Sequence, residues 1–296
     1  MRILYIGCVQ SSRDFLEAAL DVPGAEIVGI LTRKQSAFNS DFSSLGDIAE
    51  NNEIPCVYQE EHSDAEVLSW MRSCNADILY CFGWSYLLSW KAIQSARLGG
   101  VGYHPAALPA NRGRHPIIWA LALGLSETAS TFFFLDEQAD SGDILSQERI
   151  IITEEDDAAS LYKKLMTIGK YQVQKLTRQL IDGTYTRMPQ DSSKANIWRK
   201  RGHKDGIIDW RMPARGIYNL VRALTHPYVG ASFFYDGEEK KVWKAAVLCE
   251  ESPRKNIEPG RILKMSPEGM DVQCGMGVVR LLAWDEFPVR EGDCLP

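Results

Sequence analysis

Short apolar runs alternate with helical patterns through the first half of the chain, and this alternation constrains the fold more than any other feature. Helical spacing of apolar residues fills the segments between the runs. Strands separated by helices predict a parallel sheet with helices on both faces. The predicted strands are RILYIG (2–7), EIVGILT (26–32), PCVYQ (55–59), DILYCFG (77–83), GGVGYH (99–104), ASTFFFLD (129–136) and DILSQERIII (143–152).

The second half of the chain predicts a different architecture. A long helical pattern over 156–181 stops at Gly183, and the polar, proline-broken stretch 184–196 is typical of a linker. A further helical pattern covers 213–224. The residues after it alternate between apolar and polar, with turn residues in between, which predicts a small antiparallel sheet or barrel.

Length and composition agree with two domains. The chain has 296 residues, of which 45% are apolar and 24% charged, and these are ordinary values for a globular protein. We predict an α/β fold with a Rossmann-like domain and a parallel-rich sheet over 1–190. A linker helix region and a C-terminal subdomain over 205–296, a helix with a small OB-like β-barrel, complete the prediction.

Charge and cysteine usage exclude several classes of protein. The formal net charge of −6 provides no overall field that attracts nucleic acid or an anionic membrane. No segment approaches the roughly 20 apolar residues of a membrane span, and the first apolar run is too short for a signal peptide. We therefore expect a cytoplasmic protein. The cysteines form no C-x-x-C pair and the histidines have no metal-ligand spacing, so neither a metal nor a disulfide is predicted.

Polar side chains follow several predicted strands at the point where each strand ends. His104 and Asp136 each end a predicted strand, Asp140 follows the second of these, and the loop 82–90 follows an earlier strand. In parallel α/β sheets, ligands bind in the crevice at the carboxyl ends of the strands. We therefore expect these residues to converge there. The glycine signatures of dinucleotide-binding and P-loop proteins are absent from the chain.

The order of motifs around His104 resembles that of the folate-dependent formyltransferases. HPAALPANRGRHPIIWAL (104–121) is followed by AST (129–131) and ADSGDIL (139–145). The family pattern is N-x-H-P-S-L-L-P-x-x-R-G-x-x-P, then a strand containing threonine, then D-x-G. Asp140 lies 140 − 104 = 36 residues past His104, at the family spacing. The sugar N-formyltransferases are the most similar branch, and the enzymes of pseudaminic acid-type pathways are one possible home within it.

The resemblance implies transfer of a formyl group from formyl-tetrahydrofolate to a substrate amine. His104 would stabilise the tetrahedral oxyanion, and Asp140 would set the charge of the imidazole and accept the proton of the amine. FGWSYLLSW (82–90) resembles the folate loop of the family, which usually reads G-x-x-L-P. The implied folate contacts are Trp84, Tyr86, Leu87, Leu88 and Asp136.

Three further polar residues are candidates for binding the acceptor, which the resemblance implies to be an amino sugar, either nucleotide-linked or a precursor of a nonulosonic acid. Arg112 either braces its loop or contacts a substrate phosphate. His115 is either structural or faces the substrate, and Asn39 lies in the polar loop after the second strand.

The chain departs from the family pattern at Gly102, where the family has an asparagine that donates to the oxyanion, and at Ala106, where it has a serine. Loss of one such donor typically lowers a rate by about 10²–10³-fold. Three explanations stay open: another group replaces the donor, the donor is missing, or glycine is required for positive φ or close approach.

Alternative functions also follow from the resemblance. A methionyl-tRNA formyltransferase needs a basic surface, yet residues 240–296 carry nine Lys/Arg and nine Asp/Glu, which argues against a nucleic-acid substrate. A carrier-bound aminoacyl acceptor, a hydrolase of formyl-tetrahydrofolate, and a non-catalytic protein that binds folate or a nucleotide-sugar are the others. A homodimer is a further open possibility.

Overall fold

The computed structural model describes residues 1–35, 41–252 and 256–296, so Asn39 lies outside the described residues. The chain divides into two compact units. Unit 1 comprises Met1–Gly113, Thr128–Ile150 and Lys163–Trp198, and unit 2 comprises Arg114–Glu127, Ile151–Tyr162 and Arg199–Pro296. Among the described residues, no helix is both long enough and apolar enough to cross a membrane.

Strands and helices alternate along the first part of the chain, as the sequence predicts. The elements are β1 (Arg2–Ile6), α1 (Gln10–Leu20), β2 (Glu26–Thr32), α2 (Gly46–Asn51), β3 (Cys56–Tyr58), α3 (Asp64–Ser73), β4 (Ile78–Cys81), α4 (Trp90–Ile93) and β5 (Gly100–His104).

The remaining elements begin with a short strand and a helix and end in a run of strands. They are β6 (Arg112–Gly113), α5 (Pro116–Ala122), β7 (Glu127–Phe134), β8 (Ile144–Ile151), α6 (Ala158–Asp182), β9 (Ile197–Trp198), α7 (Ala214–Leu224), β10 (Ala231–Tyr235), β11 (Glu238–Cys249), β12 (Ile262–Ser266), β13 (Gly269–Gln273) and β14 (Val278–Trp284).

The first sheet has seven strands in the order β3-β2-β1-β4-β5-β7-β8. The pairs β1–β2, β1–β4, β2–β3 and β4–β5 are parallel. The apolar side chains of the central strands β1 and β4 are fully buried from Ile3 to Ile6 and from Ile78 to Tyr80, which explains why both runs are apolar without alternation. The predicted α/β fold with a parallel-rich, Rossmann-like sheet is confirmed.

The direction of β7 differs from the prediction. β5 and β7 are antiparallel, with Val101 beside Phe134 and His104 beside Thr131. The carboxyl end of β7 therefore lies next to the amino end of β5, and Asp136 leaves the sheet at the edge opposite to His104. The expectation that both strands end at one edge is wrong. An apolar run has the same appearance in either direction, so the sequence pattern carries no information on this point.

The second sheet consists of five antiparallel strands in the order β10-β11-β14-β13-β12. Helix α7 packs on β11 of this sheet. Its buried side chains include Ile217, Leu220, Val221 and Leu224, the spacing of one apolar helix face. The small C-terminal β subdomain of the prediction is confirmed as this antiparallel sheet.

The stretch expected to be a linker is hydrogen-bonded to unit 1. Met188 and Ile144 exchange two backbone hydrogen bonds, with N···O distances of 2.8 and 2.9 Å. Further along, β9 pairs in parallel with β6. We call residues 188–198 the strap. The polar residues that suggested a linker form hydrogen bonds with the loop after β5.

Candidate active site

His104 ends β5 and is 5% exposed. Its Nε2 lies 2.8 Å from the carbonyl oxygen of Asn111. A carbonyl oxygen only accepts hydrogen bonds, so Nε2 carries a proton and donates it. The other ring nitrogen, Nδ1, faces the carboxylate of Asp140 at 3.8 Å from Oδ2. The backbone around Asn111 therefore fixes which nitrogen of His104 is turned toward the carboxylate.

Asp140 lies in the loop between β7 and β8, which returns from the far edge of the sheet to His104. Its carboxylate accepts a hydrogen bond from the backbone N–H of Gly113 at 2.9 Å. The 3.8 Å between Oδ2 and Nδ1 of His104 is an ion-pair distance and too long for a direct hydrogen bond. The sequence-predicted pair is thus brought together across the two loops.

The loop from Pro105 to Gly113 is held in a fixed conformation by side chains of the sheet. Thr131 Oγ1 donates to the carbonyl of Ala106 at 2.7 Å, and Gln147 Nε2 donates to the carbonyl of Leu108 at 2.9 Å. Gly113 has φ 105°, and a Cβ at this position would lie 2.2 Å from the carbonyl oxygen of Trp198. Only glycine satisfies both conditions, which explains the R-G step of the motif.

Arg112 is directed into unit 1. It is 8% exposed, and its Nε and Nη2 donate to Oε1 of Gln190 at 3.2 and 2.7 Å. This geometry favours the bracing alternative over contact with a substrate phosphate. Binding of substrate by Arg112 stays a prediction.

Two residues of the strap belong to the site although the sequence did not identify them. Gln190 Nε2 donates to the carbonyl oxygens of Asp140 and Gly142 at 2.9 and 2.7 Å. Asn196 Oδ1 accepts from the N–H of Asn111 at 2.8 Å. Both are polar residues in a polar stretch far along the chain, so no local sequence signal marks them.

Trp84, Tyr86, Leu87 and Leu88 line one cavity of about 570 Å³ at the carboxyl ends of β2 and β4. The ring centroids of Trp84 and Tyr86 are 5.8 Å apart, and the guanidinium of Arg33 lies 4.9 Å from the Tyr86 ring. Apolar residues of α3 complete the wall, and Gln59 and Asp64 provide polar groups. Such an apolar, aromatic cavity with a few polar groups suits a planar heterocycle.

Strand register relates this cavity to His104. Leu31, which lines the cavity, is level with Ile6, then with Cys81 and Gly102 on the next strands. Partners in register share a face of the sheet, so Leu31 and Gly102 are separated by three strand spacings, about 14 Å. His104 is two residues further along the same face. The cavity and the His104–Asp140 pair therefore lie along one edge and one face of the sheet.

Asp136 is exposed, and its carboxylate accepts from the N–H of Glu137 at 2.7 Å. It does not line the cavity of Trp84 and Tyr86. Two residues that precede it, at the end of β7, decide the environment of Gly102. A Cβ at Gly102 would lie 2.7 Å from Cδ2 of Leu135 and 3.0 Å from Cζ of Phe133. Its φ is not in the positive region, so close approach is the constraint there.

His115 lies in unit 2, where it precedes α5 with φ 56°. Its Nδ1 accepts from the backbone N–H of Arg201 at 3.4 Å. Burial, followed by the charges of Arg114, Arg201 and Lys200, lowers the pKa of His115. The imidazole is therefore held in its neutral form in a cationic neighbourhood. Within the described ranges, no group of three or more His, Cys, Asp or Glu side chains is arranged to hold a metal ion.

Comparisons with known proteins agree with this arrangement. Residues 1–176 match the family model described as "Formyl transferase", and residues 201–285 match "Formyl transferase, C-terminal domain". The chain belongs to the formyl transferase family, and it is a formyltransferase of the two-domain type.

Similar solved structures extend over nearly the whole chain. The N-formyltransferase from Helicobacter canadensis, in complex with folinic acid and dTDP-3-aminofucose, is 17% identical with a TM-score of 0.70, over 94% of this chain and 98% of that one. The sugar 3N-formyl transferase WlaRD, with dTDP and 5-N-formyl-THF, is 16% identical with a TM-score of 0.68, over 95% and 97%. HypX from Aquifex aeolicus, in complex with tetrahydrofolic acid, is 15% identical with a TM-score of 0.63, over 95% of this chain and 43% of HypX. At these identities the similarity is one of fold.

Proposed function

We propose that this protein is an N-formyltransferase that moves the formyl group of formyl-tetrahydrofolate to the amine of an amino sugar. The observation that carries the proposal is the His104–Asp140 pair, with Nδ1 facing Oδ2 at 3.8 Å inside the formyl transferase motif. A non-catalytic binding protein has no need of such a pair.

The chemistry assigns one role to each group. The amine nitrogen attacks the formyl carbon, the new C–N bond forms, and the carbonyl oxygen becomes an oxyanion. The Nε2–H of the His104 imidazole is bonded to the Asn111 carbonyl, so His104 donates to that oxygen from Nδ1 when that nitrogen carries a proton. Asp140 accepts the proton of the amine, directly or through water. The oxyanion then reforms the carbonyl as the bond from the carbon to the folate nitrogen breaks, and that nitrogen takes up the proton that Asp140 accepted, directly or through water.

The formyl donor lies along the edge of the sheet that holds both the cavity of Trp84 and Tyr86 and the His104–Asp140 pair. The folate ring system lies against the loop that carries Tyr86, Leu87 and Leu88, and the part of the β7–β8 loop that returns to Asp140 forms the other side of its site. Two observations support the fit of folate to this place: the aromatic cavity has a volume of about 570 Å³, and it lies on the same face of the sheet as His104. An elongated donor placed along this edge reaches the catalytic pair.

An amino sugar is favoured as acceptor because one similar structure, over 95% of this chain, is described as a sugar 3N-formyl transferase, and another, over 94%, as an N-formyltransferase in complex with dTDP-3-aminofucose. A nucleotide-linked form of the sugar is included, since dTDP or a dTDP-sugar is present in both of them. The balanced charge of residues 240–296 argues against tRNA, as noted from the sequence. A cytoplasmic location is part of the proposal and rests on the sequence, whose cysteines form no C-x-x-C pair. Assignment to a pseudaminic acid-type pathway stays a prediction.

The experiment is an acceptor screen with the full-length protein. Formyl-tetrahydrofolate is mixed with free and nucleotide-linked amino sugars, and both tetrahydrofolate release and the mass of each sugar are followed. We expect release to require one class of sugar, which gains one formyl group. The variant His62→Asn, at an exposed histidine outside the site, should give the same result as the wild type in this screen. Release of formate without any formylated sugar would identify a hydrolase, and no turnover with any acceptor would contradict the proposal.

A further inference from the structure

The strap contacts the two loops that hold His104 and Asp140. One of its side chains reaches the loop that carries Asp140, and another reaches the loop that follows His104. The strap also pairs with that second loop through β9 and β6, and the N–H of Arg112 donates to the carbonyl of Asn196 at 3.0 Å. A single segment thus spans the two loops whose separation sets the distance between Nδ1 and Oδ2.

Gln190 uses both ends of its amide. Its Nε2 donates to the carbonyl oxygens of Asp140 and Gly142, so it holds the backbone on both sides of Ser141. Its Oε1 accepts from the guanidinium of Arg112. Arg112 is the residue before Gly113, whose N–H binds the Asp140 carboxylate. The amide therefore joins the backbone of the Asp140 loop to the segment that orients the Asp140 side chain.

Asn196 is linked to His104 indirectly, through the backbone of Asn111. Its Oδ1 accepts from the N–H of Asn111, and the carbonyl oxygen of Asn111 accepts from Nε2 of His104. Asn111 has φ 65°, a left-handed conformation that is uncommon outside glycine and that Asn adopts more readily than most residues. The strap contact holds this peptide in place, and with it the ring nitrogen that faces Asp140.

We propose that Gln190 and Asn196 are positioning residues for formyl transfer, and that the strap sets the geometry of the His104–Asp140 pair. The effect of the strap on the rate of formyl transfer rests on the proposed function. Its effect on the geometry of the His104–Asp140 pair does not. Asp140 itself has φ 57°, so its backbone also needs external support. Misplacement of a reacting group by about 1 Å lowers a rate by about 10²-fold.

Gln190→Glu is the decisive variant because it separates the two ends of the amide. The carboxylate keeps a partner for Arg112, so the buried guanidinium stays paired, but it has no donor for the carbonyls of Asp140 and Gly142. We expect kcat to fall about 10- to 100-fold with the KM for the folate donor changed less than about threefold. Gln190→Ala should lower kcat similarly. Ser193→Ala is the matched control, because the Ser193 hydroxyl bonds only to Asp191 within the strap.

A second measurement does not depend on turnover. The amide hydrogen of Gly113 is protected by the Asp140 carboxylate, so its exchange rate reports docking of the Asp140 loop. We expect exchange at Gly113 to accelerate at least about tenfold in Gln190→Glu and to stay unchanged in Ser193→Ala. For Asn196→Ala, ¹⁵N NMR of His104 should show loss of the uniform Nε2–H tautomer.

These outcomes distinguish the two proposals. If the wild type transfers no formyl group but Gly113 exchange responds as expected, the proposed function fails and the role of the strap in positioning the pair stands. Wild-type values of kcat and Gly113 exchange in Gln190→Glu would overturn the inference, as would an equal loss of kcat in Ser193→Ala.

Discussion

Two histidines of the same motif, His104 and His115, occupy opposite electrostatic environments. His104 is buried in unit 1 with a carboxylate 3.8 Å from one ring nitrogen and a carbonyl 2.8 Å from the other. His115 in unit 2 accepts a backbone N–H, and its charged neighbours include three cationic side chains. The His104 ring is thus flanked by a carboxylate and a carbonyl oxygen, whereas burial and mostly cationic neighbours lower the pKa of His115.

The comparison shows why residue type alone does not define a catalytic histidine. A protonated imidazole that donates to an oxyanion needs a nearby anion to support its charge, and Asp140 provides one only to His104. The neutral ring of His115 suits a structural role before α5, with its Nδ1 as an acceptor. The predictions below test this difference.

Replacement of His104 should have the largest effect. We expect His104→Asn to lower kcat about 10²–10⁴-fold because the oxyanion loses its charged donor. Steady-state kinetics with the acceptor found in the screen would measure the loss, and circular dichroism would check the fold. His115→Asn should lose far less, and equal losses in the two variants would break the comparison.

Replacement of Asp140 tests whether its carboxylate is what distinguishes His104 from His115. Asp140→Asn keeps an acceptor for the N–H of Gly113 but removes the negative charge beside His104. We expect kcat to fall about 10²-fold, since the imidazolium loses its support and the amine loses its base. Asp21→Asn, at an exposed carboxylate far from the motif in sequence, is the control. Turnover above about half of wild type would remove Asp140 from the mechanism.

Gly102→Asn asks whether His104 works without the family's second donor. The added side chain would meet Leu135 and Phe133, so we expect a loss of about 1–3 kcal/mol in unfolding free energy and no gain in kcat. Gly202→Asn is the matched control, because a Cβ there meets nothing within 4 Å. Urea unfolding and turnover would be measured on the same preparations. A gain in kcat at unchanged stability would show that the donor is simply missing.

The smallest expected effect concerns His115 and pH. Its pKa is lowered in the folded protein, so between that value and about 6.5 the unfolded chain binds the additional proton. Stability should therefore fall as pH decreases through this window and be independent of His115 above it. Urea unfolding at several pH values should show a weaker decline for His115→Gln than for wild type. An identical decline would mean that His115 is not held neutral by its neighbours.

Local sequence patterns account for much of the N-terminal sheet. Residues 27–31 and 78–82 carry no charged side chain because their strands are covered on both faces, and that composition is visible without a structure. The helix of 64–73 is equally visible, because Ser63 and Glu66 form a capping box at its start. The motif also predicted that His104 and Asp140 lie close together, and they do, at 3.8 Å; their catalytic role stays a prediction.

The sequence by itself determined the α/β class and the family, because each is encoded in local composition and in a spaced motif, and it singled out His104 and Asp140 as the candidate pair. Only the tertiary structure decided the antiparallel direction of β7, the packing of Leu135 and Phe133 over Gly102, and the binding of the strap to the catalytic loops. The alternation of apolar and polar residues is the same for either strand direction. The contacts of Gln190 with Asp140 and of Asn196 with Asn111 join residues 50 and 85 positions apart, so they form only where the fold brings those segments together. Gln190 and Asn196 have the composition of a linker, and their role exists only once the fold places them beside Asp140 and Asn111.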